Sequence, residues 1–159
     1  MEITFVSFLI MVIVFVTYIS FIWLKYGIQT SISRSYYTLP PKLRILFTLF
    51  CWTFAMSAIV ASVDVSLLMF GAGVGIGFVG TAAQLKYKLD YKVHMVAAVC
   101  AIVISQIAIL IDFEMWYVNV ATIILSIIMT CLSKKNYLWW VEIVSFLAIC
   151  YAVGVTLIT

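Results

Sequence analysis

Six apolar runs are separated by five connections whose charges alternate in sign along the chain. Lys25, Arg34, Lys42 and Arg44 occupy the first connection, Lys86, Lys88 and Lys92 the third, and Lys134 with Lys135 the fifth. Together these are all nine Lys and Arg residues. The second connection carries Asp64 and the fourth Asp112 with Glu114, and Glu2 is the only charge before the first run. Lys and Arg of short loops collect on the cytoplasmic side of a membrane, so the basic connections are expected inside and the acidic ones, with both termini, outside. A crossing helix needs about 20 mostly apolar residues. The runs supply approximate spans at about 3–24, 44–62, 66–85, 93–111, 115–133 and 138–158. The expected fold is an all-α membrane protein, residues 1–159 forming one transmembrane domain of six helices in an antiparallel up-down bundle.

Composition agrees with that class. Hydrophobic residues make up 67% of the chain and charged residues 9%, against about 25% charged in a soluble domain. The net charge of +3 then describes loops beside anionic headgroups and gives no reason to expect a nucleic-acid partner. The first run is too long for the core of a secretory signal and has Lys25 after it, not before it, so it is expected to be retained. Cys51, Cys100, Cys131 and Cys150 have no Cys-x-x-Cys spacing and His94 is the only histidine, so neither a disulfide framework, a metal site nor a cofactor is indicated.

Four connections are a few residues long and one is not. Residues 25–43 are expected to be an interfacial cytoplasmic segment. Gly27 can end the first helix, and Pro40 and Pro41 suit the opening of the second. Between them Ile28, Ile32, Tyr36 and Tyr37 are expected at the headgroup level, with Arg34 and the hydroxyls of Ser31, Ser33 and Ser35 facing water or phosphate. Three spans on each side of the middle would allow an inverted repeat, but no residue pattern recurs between 1–85 and 86–159.

At about 100° per residue, side chains sort onto helix faces. His94, Ala98, Ala101, Ser105, Ala108 and Asp112 share one stripe of the fourth span; Asn119, Thr122, Ser126, Thr130 and Ser133 share one of the fifth; Thr53, Ser57, Ala61 and Asp64 share one of the second. These polar seams are expected to face the bundle interior, as packing seams or as a hydrated path, because polar atoms facing hydrocarbon would go unsatisfied. In the third span Gly71 and Gly75 lie on one face and Gly73, Gly77 and Gly80 on the other. Two small faces predict a central helix with two close neighbours. The aromatic residues, Trp23, Trp52, Trp116, Trp139 and Trp140 among them, fall mostly near span ends, as in an interfacial belt.

Glu142 is the one acid well inside a span, about 9 Å beyond Asn136 at 1.5 Å per residue. A carboxylate at such depth is a functional candidate with a partner to be named. Topology offers His94, Gln84, Arg34 or a tyrosine of the first loop, and His94 is the most attractive because an imidazole can pass a proton or hold a charge near neutral pH. A structural tie between helices is the competing reading.

Gly27-Ile-Gln-Thr-Ser-Ile-Ser-Arg-Ser-Tyr-Tyr, Phe47-Thr-Leu-Phe-Cys-Trp-Thr-Phe-Ala, Phe70-Gly-Ala-Gly with Phe78-Val-Gly, and Val93-His94 resemble a set of uncharacterised small multi-pass membrane proteins of bacterial and phage genomes. The resemblance implies a bacterial or phage context and no known activity. The alkaline ceramidase and adiponectin-receptor superfamily is similar only in architecture, since its metal site uses several histidines. Rhomboid proteases need a Gly-x-Ser-Gly nucleophile motif that is absent from this chain.

The expected function is that of an inner-membrane protein that binds or moves a small solute, ion or lipid headgroup through a polar pocket open to the cytoplasm. Glu142 and His94 would form its ionisable core, with Gln84 beside them and Arg34, Tyr36 and Tyr37 as a clamp. Expected partners are membrane lipids, the solute itself and, equally admissible, a second copy of the chain. The alternatives are a membrane-embedded lipid-modifying enzyme using the same pair as general base, and a non-catalytic interaction subunit.

Overall fold

Each apolar run is helical over its described residues in the computed structural model, which describes residues 2–82 and 88–159, and side chains outside 82–92. The helices are α1 (Glu2–Tyr26), α2 (Ser35–Thr38), α3 (Ile45–Ala61), α4 (Leu67–Ala82), α5 (Lys88–Ile111), α6 (Trp116–Leu132) and α7 (Tyr137–Ile158), with a 3₁₀ turn at Pro41–Leu43. No strand occurs among the described residues. Four segments, Glu2–Tyr26, Pro41–Ala61, Val93–Ile111 and Tyr137–Ile158, are long and apolar enough to cross a membrane, and two apolar helices, Leu67–Thr81 and Trp116–Leu132, are shorter.

Gly27, at φ +75°, ends α1 in the left-handed conformation that glycine adopts without a steric penalty, and its N–H donates to the Trp23 carbonyl. At the other end of the bundle Ser66 opens α4, its hydroxyl oxygen accepting the Met69 N–H at 3.0 Å.

Side-chain pairs fix the directions. Phe15 meets Phe54 and Tyr18 stacks on Phe50 at 4.4 Å, so α1 and α3 are antiparallel. Phe8 lies against Gly154, Phe15 stacks on Phe146 and Trp23 meets Trp140, so α1 and α7 are antiparallel too. Along α4, the glycines set the spacing. A Cβ on Gly80 would lie 2.6 Å from the Cys51 Cβ of α3, and one on Gly75 would lie 2.9 Å from the Ala101 Cβ of α5. Gly73 likewise abuts Ile59 of α3 and Gly71 faces Ile104 of α5, whereas Gly77 has open space beside it. Such close approach is how helices associate where lipid removes the hydrophobic drive between them.

The helices therefore form a ring in the order α1, α3, α4, α5, α7, closed by the α7–α1 contact, with α6 outside it against α5 and α7. Only Val118 and Thr122 of α6 are buried. That position changes the reading of its polar seam: Asn119 bonds sideways to Gln106 of α5, Thr122 is buried, and half-buried Ser126 accepts the Thr130 hydroxyl on its carbonyl at 2.7 Å. The seam joins α6 to its neighbours and does not reach the middle of the ring. Trp139 is also corrected: it is 1% exposed and belongs to the core, not to a belt.

The first loop departs furthest from expectation. Ile32, Ser35 and Leu39 are buried at 3%, 0% and 1% exposure, so residues 28–39 fold into the end of the bundle as a plug. Ser35, expected to face water, is instead the most enclosed hydroxyl of the segment. The apolar repeat Ile28, Ile32, Leu39 runs through Ser35 at helical spacing, and a serine whose hydroxyl is fully bonded can take an apolar position.

Candidate functional site

Beneath the plug lies a cavity of about 50 Å³, bounded by α3, α4, α5, α7 and residues Ile32 and Ser33. A buried water needs about 10–15 Å³ of such space, so a few waters or one small head group fit. Helical spacing builds each wall. Glu142, Ser145, Phe146 and Ile149 are at i, i+3, i+4 and i+7 of α7, and Ala98, Ala101 and Ser105 form the α5 face. Phe47, Phe50 and Cys51 come from α3, and Ile76 and Val79 from α4.

Among the described residues, Glu142 is the only charged side chain in that wall. Its Oε2 accepts a short hydrogen bond from the backbone N–H of Ile32. The bond crosses from the second turn of α7 to non-helical backbone, which satisfies a donor that has no helical partner. The same plug residue is held on its other side. Ser35 donates its hydroxyl hydrogen to the Ile32 carbonyl at 2.5 Å, which leaves the Tyr18 hydroxyl as the donor in the 2.6 Å bond to Ser35 Oγ. A relay of contacts therefore runs Tyr18, Ser35, Ile32, Glu142, engaging both main-chain groups of Ile32, and ties α1 to α7 through the plug.

The remaining expected site residues lie elsewhere. His94 is buried, and its Nδ1 sits 3.2 Å from the Val79 carbonyl. A carbonyl only accepts, so Nδ1 carries a hydrogen and His94 ties α5 to α4. No bond joins His94 to Glu142 among the described residues, and His94 does not line the cavity although Val79 does. Gln84 lies outside the described residues. Arg34 is exposed on the outer surface of the plug with its guanidinium 5.6 Å from the Tyr37 ring, and Tyr36 is half-buried between Phe47 and the guanidinium of Arg44. Of the seams' described polar side chains only Ser105 lines the cavity, beside Ala98 and Ala101 of the same stripe; Ser57 is buried in α3 away from it.

Ser33, Ser145, Cys51 and the three phenylalanines are cavity residues that the sequence reading did not single out for this role. For α7 the signal was present: the face that carries Glu142 also carries Ser145 and Phe146. Ser105 and Ser145 donate to the carbonyls of Ile102 and Val141, each at 2.8 Å, so their hydroxyl hydrogens point back into their own helices. Among the described residues no group of three or more His, Cys, Asp or Glu could hold a metal ion.

No family model, no curated protein and no solved structure matches this chain.

Proposed function

We propose that this chain is a six-span inner-membrane protein that binds a small molecule in its central cavity and admits it from the cytoplasmic side, past the plug, for passage or delivery. The observation that carries the reading is that one carboxylate, Glu142, both lines the cavity and holds the segment that covers it. A ligand that competes for Glu142 would thereby loosen the plug, which couples binding to opening. Irregular backbone at membrane depth is tolerated where it is buried in protein or lines a cavity, and the plug meets both conditions.

Charge supports the orientation. Lys25, Arg34, Lys42, Arg44, Lys134 and Lys135 gather at the plug end, while Glu2, Asp64, Asp112 and Glu114 gather at the other. The rule for short loops puts the plug in the cytoplasm. Helices α4 and α6, with 16 and 17 residues, reach about 24–26 Å at 1.5 Å per residue. Local thinning of the bilayer lets such helices span at a modest cost.

Two measurements test the proposal. In a background lacking the exposed Cys100 and Cys131, Lys134→Cys should be labelled only from the cytoplasm and Asp64→Cys only from the periplasm; reversed labelling would overturn the topology. Thermal unfolding of the purified full chain should shift with at least one class of small solute, and Ala98→Leu, which fills the cavity, should abolish that shift. Solutes of every charge class leaving the wild type unmoved would remove the binding function.

A further inference from the structure

We infer that the group this cavity accepts is hydrocarbon, a short alkyl group, a deduction that rests on the small-molecule-binding reading above and specifies its ligand. Among the described residues the cavity surface is nearly all carbon. Ile76 and Val79 of α4, Ile102 of α5, Ile149 of α7 and Ile32 of the plug supply aliphatic groups, and three phenylalanines supply rings. The hydroxyls and the carboxylate of the wall already have partners within the protein. Ser105 and Ser145 are buried and donate to the carbonyls of Ile102 and Val141, one turn back in their own helices. Ser33 pairs with Ser31 inside the plug, and Glu142 directs Oε2 to the Ile32 N–H at the plug's edge. The buried Cys51 behaves as a small apolar residue.

The wall is also held in shape. Phe50 is stacked on Tyr18 at 4.4 Å and Phe146 on Phe15 at 5.5 Å, and α4 is pressed against α3 at Gly80 and against α5 at Gly75. A void that its walls cannot close forfeits the dispersion contacts of a packed interior, and a void with carbon walls stays dry and takes apolar guests. A polar guest would give up hydration that a carbon surface does not return, whereas an alkyl group gains contacts and sacrifices no hydrogen bond. At about 10–15 Å³ per water-sized unit, a volume of about 50 Å³ holds roughly three to five such units, the size of a short chain end. Such a group has two sources. A free molecule with an alkyl end would come past the plug; the end of a membrane lipid chain would come sideways between α5 and α7, which meet less extensively than α5 and α4 do. The experiment separates the two.

The full chain, isotope-labelled at its alanine methyls, is placed in lipid nanodiscs and followed by NMR under rising pressure of xenon, an uncharged apolar probe. Ala101 is buried in the cavity wall and reports on the cavity; Ala152 is buried outside it and serves as the control. An empty cavity should give a saturable xenon shift at Ala101 that is at least tenfold larger than the shift at Ala152, and Ala98→Leu should abolish it. A cavity already filled by a lipid chain should instead give nuclear Overhauser contacts from the Ala101 methyl to acyl-chain protons, lost when the chains are deuterated. The first result assigns the site to a free apolar molecule and the second to the lipid chain. The comparison of Ala101 with Ala152 uses the unmutated chain, so it stands even where the variant fails to fold. Equal xenon shifts at the two alanines, Overhauser contacts from Ala101 to water, or neither xenon shift nor acyl-chain contact at Ala101 would overturn the hydrocarbon assignment. If polar or charged solutes then still raised the unfolding midpoint, the binding function would stand with a different ligand; if no solute of any class did, the binding function would fall as well.

Discussion

Two carboxylates each join one part of this bundle to another, and they do so in opposite ways. At the acidic end Asp112 follows the last residue of α5 and accepts the Ser66 hydroxyl at 2.5 Å, while Ser66 accepts the Met69 N–H. Every atom in that set sits at a helix end, where unpaired backbone groups must be answered in any protein. At the basic end Glu142 lies inside α7, where the backbone is already satisfied, and it reaches out to the irregular plug. A carboxylate at a helix terminus serves that terminus. A carboxylate inside a helix, beside a cavity, serves whatever it holds, and in this molecule that is a covering segment.

The largest expected effect follows from removing the second of these. Glu142→Ala leaves the Ile32 N–H without its acceptor, at a cost of about 1–3 kcal/mol for an unmade buried bond. The loss should fall on the plug before it falls on the bundle. Hydrogen exchange at the Ile32 amide should accelerate, and protease should cut within 27–43 at temperatures where the helices remain intact. Glu142→Gln keeps an acceptor oxygen and should behave more mildly. If Glu142→Ala destabilised the whole bundle without freeing the plug, the two carboxylates would be equivalent ties and the contrast would fail.

Why the helices could be read from the chain and the ties between them could not is a matter of range. The helices follow from runs of apolar residues punctuated by charge, and both are local. Gly75 and Gly80 betray close neighbours by size alone, whereas nothing singled out Ser66, whose bond to Asp112 spans 46 positions. The plug depends on contacts between residues 17 and 110 positions apart, Tyr18 with Ser35 and Ile32 with Glu142. A serine gives no sign in sequence of whether its hydroxyl will meet water or a tyrosine. Glu142 was recognisable as important from its depth, but its partner is a backbone amide, which every residue possesses and no pattern marks. The same limit explains His94: an imidazole and a carboxylate at one end of a bundle invite pairing, yet rotation of α5 within the ring directs His94 to the Val79 carbonyl of α4 instead. The position of α6 outside the ring was equally illegible, since a polar seam looks the same whether it lines a cavity or joins a peripheral helix to two neighbours.

A smaller effect is expected at the acidic end. Ser66→Ala removes an N-cap, typically about 1 kcal/mol with a range of about 0.5–2. It also removes the donor to Asp112. Asp112→Ala should cost no more than Ser66→Ala, and the double variant should cost less than the sum, because both changes delete the same bond. Unfolding of the four proteins in a denaturing detergent closes the cycle. Neither change should alter hydrogen exchange in the plug. Additive losses would show that Ser66 and Asp112 act separately, and a changed plug would show that the two ends communicate.

The smallest effect belongs to Arg34, and it separates charge from structure at the basic end. The guanidinium is exposed, and its described partner is the face of Tyr37, a contact worth about 0.5–1 kcal/mol at an exposed site. Arg34→Gln should therefore move the unfolding midpoint by only a few degrees at most and leave the Ile32 amide protected, because the relay from Tyr18 to Glu142 passes through Ser35 and Ile32 and never through residue 34. Five cations still flank the plug in that variant, so the labelling pattern of Lys134→Cys should not invert either. A large loss of stability on Arg34→Gln would mean that the outer charge, and not the buried relay, holds the plug in place.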